Sequence, residues 1–220
     1  MINFEEVKNN LLIKEYIKQS AIFLKSVGYT DHGSRHVNLV AKRAGELAEI
    51  IRLSGRLKEL CQMAAYCHDM GNFLGRDLHH YWGALLFAQI FQDQLKPADL
   101  TVIMQAITGH DKKDLKITNK VSAIVILADK SDVHRSRVSI KDIRKIKEDI
   151  HDRVNYSVTN SQLEVDDKKK TITLKLKVDV KITPIIEYFE IFTDRMVYCR
   201  QAANYLNYKF NLKINDFKLL

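Results

Sequence analysis

Six of the eight histidines fall between residues 32 and 110, and several stand on or beside apolar helical stripes. His36 comes one turn before Val40 on a stripe that continues through Ala44, Leu47 and Ile51. His68 extends the stripe Leu57, Leu60, Ala64 and is followed directly by Asp69. His79 opens a stripe with Trp82, Leu86 and Ile90, and His110 closes the stripe Ile103, Ile107. Asp129 comes one turn after Val125, at the end of a strongly apolar segment. Five predicted helices thus carry His or Asp toward the interior. A carboxylate buried alone is costly, whereas converging imidazoles and carboxylates satisfy one another around a divalent metal. Taken singly, a histidine on an apolar face is more often a hydrogen-bonded core residue. The joint pattern carries the metal reading.

The elements that must position these residues can be read from the hydrophobic period, which is helical up to about residue 150. A first helix is predicted over 4–27. Asp31 or Ser34 is expected to cap a second, and Ser54 a third. A fourth covers roughly 77–92, and Pro97 suits the first turn of a fifth. A sixth includes the apolar run 121–128, and Ser139 with Asp142 resembles a capping box for a seventh. The period then changes. Ile172, Leu174, Leu176, Val178 and Val180 alternate with polar residues and pair, as a hairpin, with a strand through Leu163 and Val165. Thr183-Pro184 starts a helix to about residue 206, and Phe210, Leu212 and Ile214 predict a third strand. The expected fold is mainly α: a helical domain over 1–150 with a small α+β extension over 151–220, built as hairpin, helix and strand.

Hydrophobic residues make up 46% of the chain and charged residues 28%, which excludes a disordered or low-complexity protein. No apolar run is long enough to cross a bilayer, and the N-terminus does not read as a signal peptide. Three cysteines without a Cys-x-x-Cys pair fit a reduced, cytoplasmic protein. Nearly all of the net charge of +8 lies after residue 110, on what reads as a solvated lysine-rich surface with some bias toward anionic partners.

His36, then Cys67-His68-Asp69-Met70-Gly71-Asn72, then Ala128-Asp129-Lys130 resembles the HD-domain superfamily of metal-dependent phosphohydrolases: a His, a His-Asp pair and a distant Asp, all on helices. The resemblance covers roughly residues 15–150. Asp31-His32-Gly33-Ser34-Arg35-His36 looks like the entry motif of many members, and His79-His80-Tyr81-Trp82-Gly83-Ala84 and Ala106-Ile107-Thr108-Gly109-His110 look like segments that supply further ligands. The resemblance implies an HD-domain helical bundle. It also implies a first metal on His36, His68, Asp69 and Asp129, with Asp69 bridging to a second metal completed by His79 and His110. This six-ligand set is similar to that of the dinuclear subgroup that includes the bacterial diadenosine tetraphosphate hydrolases. His80 is an alternative to His79, though the spacing to Gly83 favours His79. The segment 111–115 after His110 lacks Gly-Tyr-Pro, which disfavours a cyclic-di-GMP phosphodiesterase of the HD-GYP type.

One or two divalent transition metals (iron, manganese, nickel or zinc) are therefore expected, acidifying water for attack on phosphorus. Asp69, Lys130 and His32 are the candidate catalytic residues, with His32 equally suited to a structural hydrogen bond. Lys130, Arg137 and His134 are the candidates for holding the substrate's charge. Tyr81 and Trp82 suit either base stacking or, more commonly, core packing, and Lys112 and Lys113 read as exposed. The expected partner is a small phosphorylated molecule, a nucleotide above all, with no membrane and no nucleic acid. An edge strand offers a route to a homo-oligomer. Three other readings stand beside the hydrolase: a di-iron oxygenase on the same ligands, a nucleotide-binding module without turnover and, last, a nucleic-acid-binding protein.

Overall fold

A computed structural model describes residues 2–111 and 116–219. It is mostly helical, with a small C-terminal sheet. Where a single first helix is predicted, the chain forms α1 (Phe4–Asn9) and α2 (Leu11–Ser26). Asn10 leaves the helical conformation between them, and its side chain accepts hydrogen bonds from the Leu12 and Ile13 amides, starting a new helix. α3 (Ser34–Ile50) begins after Gly33 with no side-chain cap, so neither expected cap is used. Asp31 instead accepts from the Gly33 amide and from Arg35. Ser54 caps α4 (Gly55–Cys67) as expected, and Pro97 opens α6 (Pro97–Gly109).

The stripe assigned to the fourth helix is met in part: His79 is buried and Leu86 and Ile90 pack half-buried against the core, but Trp82 does not. α5 (His79–Phe91) buries His79, His80, Gly83, Ala84, Phe87 and Phe91, while Tyr81 and Trp82 face solvent. Small residues decide that packing, because Gly83 lets α5 approach Gly71 in the 3₁₀ turn Met70–Leu74. A Cβ on Gly71 would stand 2.2 Å from the His79 carbonyl oxygen and 2.5 Å from the Gly83 nitrogen. The same turn is tied to α2 by buried Ser20, whose hydroxyl donates to the Met70 carbonyl and accepts from the Phe73 amide.

α7 (Lys120–Lys130) is central: every residue from Val121 to Lys130 is buried, against α3, α4 and α6. α8 (Ile143–Glu148) is capped by Asp142, not by Ser139, and α9 (Ile150–Ser157) carries the helical part past residue 150. β1 (Val158–Asp166) and β2 (Thr171–Val178) form the hairpin, with Leu163 opposite Leu174, while Val180 lies beyond the strand and is exposed. α10 (Ile185–Tyr205) then crosses over so that β3 (Lys209–Ile214) pairs parallel to β2, and a short β4 (Phe217–Lys218), not expected from the sequence, completes a four-stranded sheet. α10 buries Tyr188, Phe192, Met196, Cys199, Ala202 and Ala203 and packs on α7 as well as on β3. Sheet and helices are further joined by Arg43, which donates to Ser131 on one side and to the Ser161 carbonyl of β1 on the other.

Candidate metal centre

Helix ends bring the ligand candidates together. His68 and His110 are the C-terminal cap residues of α4 and α6, His79 is the first residue of α5, His36 lies in the first turn of α3 and Asp129 in the last turn of α7. All six candidates are buried. In each imidazole Nδ1 faces an oxygen acceptor. His36 Nδ1 donates to Asp132 Oδ2 at 2.7 Å, and His68 to the Ala65 carbonyl at 2.7 Å. His79 donates to the Arg76 carbonyl at 2.9 Å, and His110 to the Ile107 carbonyl at 2.6 Å. The protons are thereby fixed on Nδ1, and the Nε2 lone pairs are directed at one another. Nε2 of His36 lies 3.2 Å from Nε2 of His68, and Nε2 of His79 lies 3.2 Å from that of His110. Two acceptors at that distance need a cation between them.

Asp69 sits between the two pairs. Its Oδ2 is 3.2 Å from His68 Nε2 and 3.5 Å from His36 Nε2, while its Oδ1 is 3.3 Å from His79 Nε2 and 3.6 Å from His110 Nε2. Asp129 Oδ1 faces only the first pair, at 3.3 Å from His36 and 3.6 Å from His68. The donors form three groups whose atoms lie within 4.8 Å of one another, and among the described residues such groups occur only here. The donor set fits divalent metal: nitrogen and carboxylate oxygen, with an acceptor behind each imidazole. His80, the alternative to His79, packs against Tyr81 instead, with ring centroids 4.5 Å apart.

The electrostatics follow from this crowding. Burial opposes charge on His68, but Asp69 and Asp129 outweigh it and push its pKa up to about 10. Burial pushes His110 the other way, down to about 4, against the pull of Asp69. Asp69 and Asp129 are held well below the usual carboxylate range despite burial, the first by His68 and other imidazoles, the second by Lys130 and then His36 and His68. The carboxylates thus favour positive charge at the His36–His68 pair, which a metal ion would supply.

A cavity of about 310 Å³ opens on this cluster. It is lined by His32, Asp69, Arg76, His110, Asp111, Asp129, Lys130 and Arg137, and by Asp194, Arg195 and Tyr198 of α10. Lys130 Nζ lies 3.0 Å from Asp129 Oδ2 and 3.2 Å from Asp111 Oδ1, and these carboxylates keep its pKa raised in spite of burial. Arg137 is 2% exposed. It donates through Nη1 to the Asp132 carbonyl at 2.8 Å, while its Nε and Nη2 have no hydrogen-bond partner among the described residues. His32 donates from Nδ1 to the Thr30 carbonyl at 2.6 Å. Burial, then the Arg137 charge, hold it well below its ordinary pKa.

His134, expected to hold substrate, does not line the cavity. Its Nδ1 accepts from the Ser136 amide and its Nε2 donates to the Thr159 carbonyl of β1, so it fixes the chain after α7 to the sheet. Lys112 and Lys113, with the rest of 112–115, lie outside the described residues. The sequence reading also missed residues. Asp132, fully buried, orients His36 and accepts from Arg35 Nη2 at 2.7 Å. Arg76 donates to Asp111 at 2.9 Å and lies 3.7 Å from Asp69 Oδ1. Asp132 repeats the position of Asp129 one turn on, a helical-period signal that was available in the sequence. Nothing in the sequence spacing pairs Arg76 with Asp111.

Residues 33–134 match the family model described as HD domain, a stretch that contains the whole ligand cluster. That domain defines a superfamily of metal-dependent phosphohydrolases, whose members are usually metal-dependent hydrolases. At the level of the individual protein, the chain is 26% identical over 189 residues to an uncharacterized protein of Methanocaldococcus jannaschii, covering 76% of this chain and 72% of the relative. Among the described residues, no helix is long and apolar enough to cross a membrane.

Proposed function

We propose that the protein is a metal-dependent phosphohydrolase with a dinuclear centre, acting on a small phosphorylated molecule, a nucleotide above all. The observation that carries this reading is the set of four imidazoles with Nδ1 committed and Nε2 converging in pairs on the two oxygens of Asp69. On this reading His36, His68, Asp69 and Asp129 would hold one ion and His79 and His110 the other, with Asp69 shared, as in the dinuclear subgroup noted above. Iron, manganese, nickel or zinc supplies Lewis acidity toward a phosphoryl oxygen and a lowered pKa for water at such a site.

The chain's own residues do the rest. Asp69 and Asp129 supply negative charge that keeps the ions in place. Lys130 reaches the cavity from the same turn as Asp129 and is set to offset charge that builds on phosphoryl oxygens in the transition state. Arg76 steadies Asp69 and Asp111 at the rim. The unpaired N–H groups of Arg137 are donors for an anion. With its Nδ1 proton committed to the Thr30 carbonyl, His32 can offer substrate an acceptor at Nε2. The unpartnered donors of Arg137 at the cavity favour an anionic substrate over the dioxygen of a di-iron oxygenase. Residues 151–220 are read as an extension packed on a helical unit of residues 1–150, and the compartment as cytoplasmic.

Elemental analysis of untagged protein, with phosphate release from a panel of nucleotides and simple phosphate esters, tests the proposal. The expected result is close to two transition-metal ions per chain and turnover that Asp69→Asn abolishes. One ion per chain would restrict the centre to the first four ligands. No metal after reconstitution, with a nucleotide bound and left intact, would overturn hydrolysis in favour of a binding module.

A further inference from the structure

α10 lies outside the stretch that matches the HD domain, yet it forms one wall of the cavity. Asp194, Arg195 and Tyr198 share one helical face, while Phe192, Met196 and Cys199 of the same helix are buried. The wall is therefore rigidly mounted, with the Arg195 guanidinium carbon 4.4 Å from the centre of the Phe192 ring.

The four cations of the cavity fall into two kinds. Arg76 and Lys130 each contact carboxylates of the cavity, Asp111 for both and Asp129 for Lys130. Arg137 and Arg195 have no carboxylate of the cavity within ion-pair distance among the described residues. Arg137 keeps two buried N–H-bearing nitrogens unpartnered, and Arg195 adds to the positive charge felt by both Arg137 and Lys130. Two guanidinium groups lining one hollow, neither of them paired with a carboxylate of that lining, suit an anion, and their forked donors match the oxygens of a phosphoryl group. The neutralised cations border the metal ligands. Arg195 stands apart from them in chain origin, on α10.

We propose that Arg195 of α10 and Arg137 bind a second phosphoryl group of the substrate, beyond the one attacked, so that the site selects molecules carrying two phosphoryl groups. This rests on the phosphohydrolase reading above and deepens it. The 310 Å³ cavity suits a compact diphosphate unit. The C-terminal extension is then the element that sets substrate preference, and the metal ligands come entirely from the preceding helices.

The test is calorimetric titration of the metal-loaded protein with orthophosphate and with methylenediphosphonate, a diphosphate mimic that cannot be hydrolysed. Metal content is measured after each titration to exclude stripping. The wild type is expected to bind methylenediphosphonate at least tenfold more tightly than orthophosphate. Arg195→Gln should remove that preference while leaving metal content and orthophosphate affinity unchanged, and Arg195→Lys should restore part of it. Arg200→Gln, at an exposed position of α10 outside the cavity lining, controls for disturbance of α10. No preference in the wild type, or an Arg195→Gln variant that keeps the preference or weakens both ligands equally, would overturn the subsite. A wild type that takes up no metal would overturn the phosphohydrolase reading instead. The subsite is then decided by whether Arg195→Gln weakens methylenediphosphonate binding to the metal-free protein.

Discussion

Asp132→Asn is the perturbation that most directly tests how the first metal position is built. The carboxylate is fully buried, and its Oδ2 accepts from His36 Nδ1 and from Arg35 Nη2, each at 2.7 Å. Arg137 Nη1 lies 3.8 Å from the same oxygen. Asparagine keeps the shape but removes the charge and leaves one carbonyl oxygen for two donors. Hydrogen bonds to charged groups contribute about 1.5–3 kcal/mol each, and breaking a buried ion pair by removing one partner costs about 3–5 kcal/mol. With Arg35 keeping Asp31 as a second partner at 2.9 Å, the lower end applies, a loss of about 3 kcal/mol in stability. The acceptor behind a ligating imidazole sets its orientation and basicity, and its loss weakens metal binding roughly 10–100-fold. Competition against a coloured chelator measures the second effect, and denaturant unfolding of the metal-free protein the first. Asp31→Asn, which touches Arg35 but not His36, should leave metal affinity within about twofold. If Asp132→Asn is destabilised yet binds metal like the wild type, the orienting role assigned to Asp132 is refuted.

Gly71→Ala places a Cβ where the His79 carbonyl and the Gly83 nitrogen already stand, so α5 must move. Expected are a stability loss of at least about 3 kcal/mol by denaturant unfolding and a selective fall in metal content toward one ion per chain, since His79 moves with α5. Lys130→Ala should keep its metal and lose roughly 100-fold in kcat for phosphate release, the usual scale for removing one fixed electrostatic donor. Burial pushes the thiols of Cys61 and Cys199 up to about 12 and that of Cys67 upward as well, so all three stay protonated near neutral pH. A thiol-reactive chromophore should label none of them in the folded protein and all three after unfolding.

The ligand cluster was legible because its residues obey the helical period: His36 with Val40, His68 with Ala64, His110 with Ile107 and Asp129 with Val125 each lie on one face. The hairpin and β3 were legible for the same kind of reason, with a period of two. Failures came where a side chain's environment is set by a distant element. Arg76 and Asp111 are charged residues in or beside polar stretches and look like solvated positions, yet each finds its partner across the fold. Trp82 does not share the buried face of α5, although a tryptophan outweighs a glycine in hydrophobicity, because close approach of backbones at Gly83 decided the packing. The break at Asn10 was hidden because asparagine is tolerated within a helix as well as at its cap. The contribution of α10 was invisible for a simpler reason. Arg195 and Tyr198 interrupt an apolar helix face with residues that any surface carries, and only the docking of α10 on α7 shows what they face.

That docking has a consequence for the order in which the protein is completed during synthesis. All six candidate ligands, His36 through Asp129, leave the ribosome before any part of α10 exists, and Asp194 follows Asp129 by 65 residues. The parallel pairing of β2 with β3 that anchors α10 waits longer still, until residue 214 has been added. The wall of the cavity that α10 forms is therefore the last part of the site to be made.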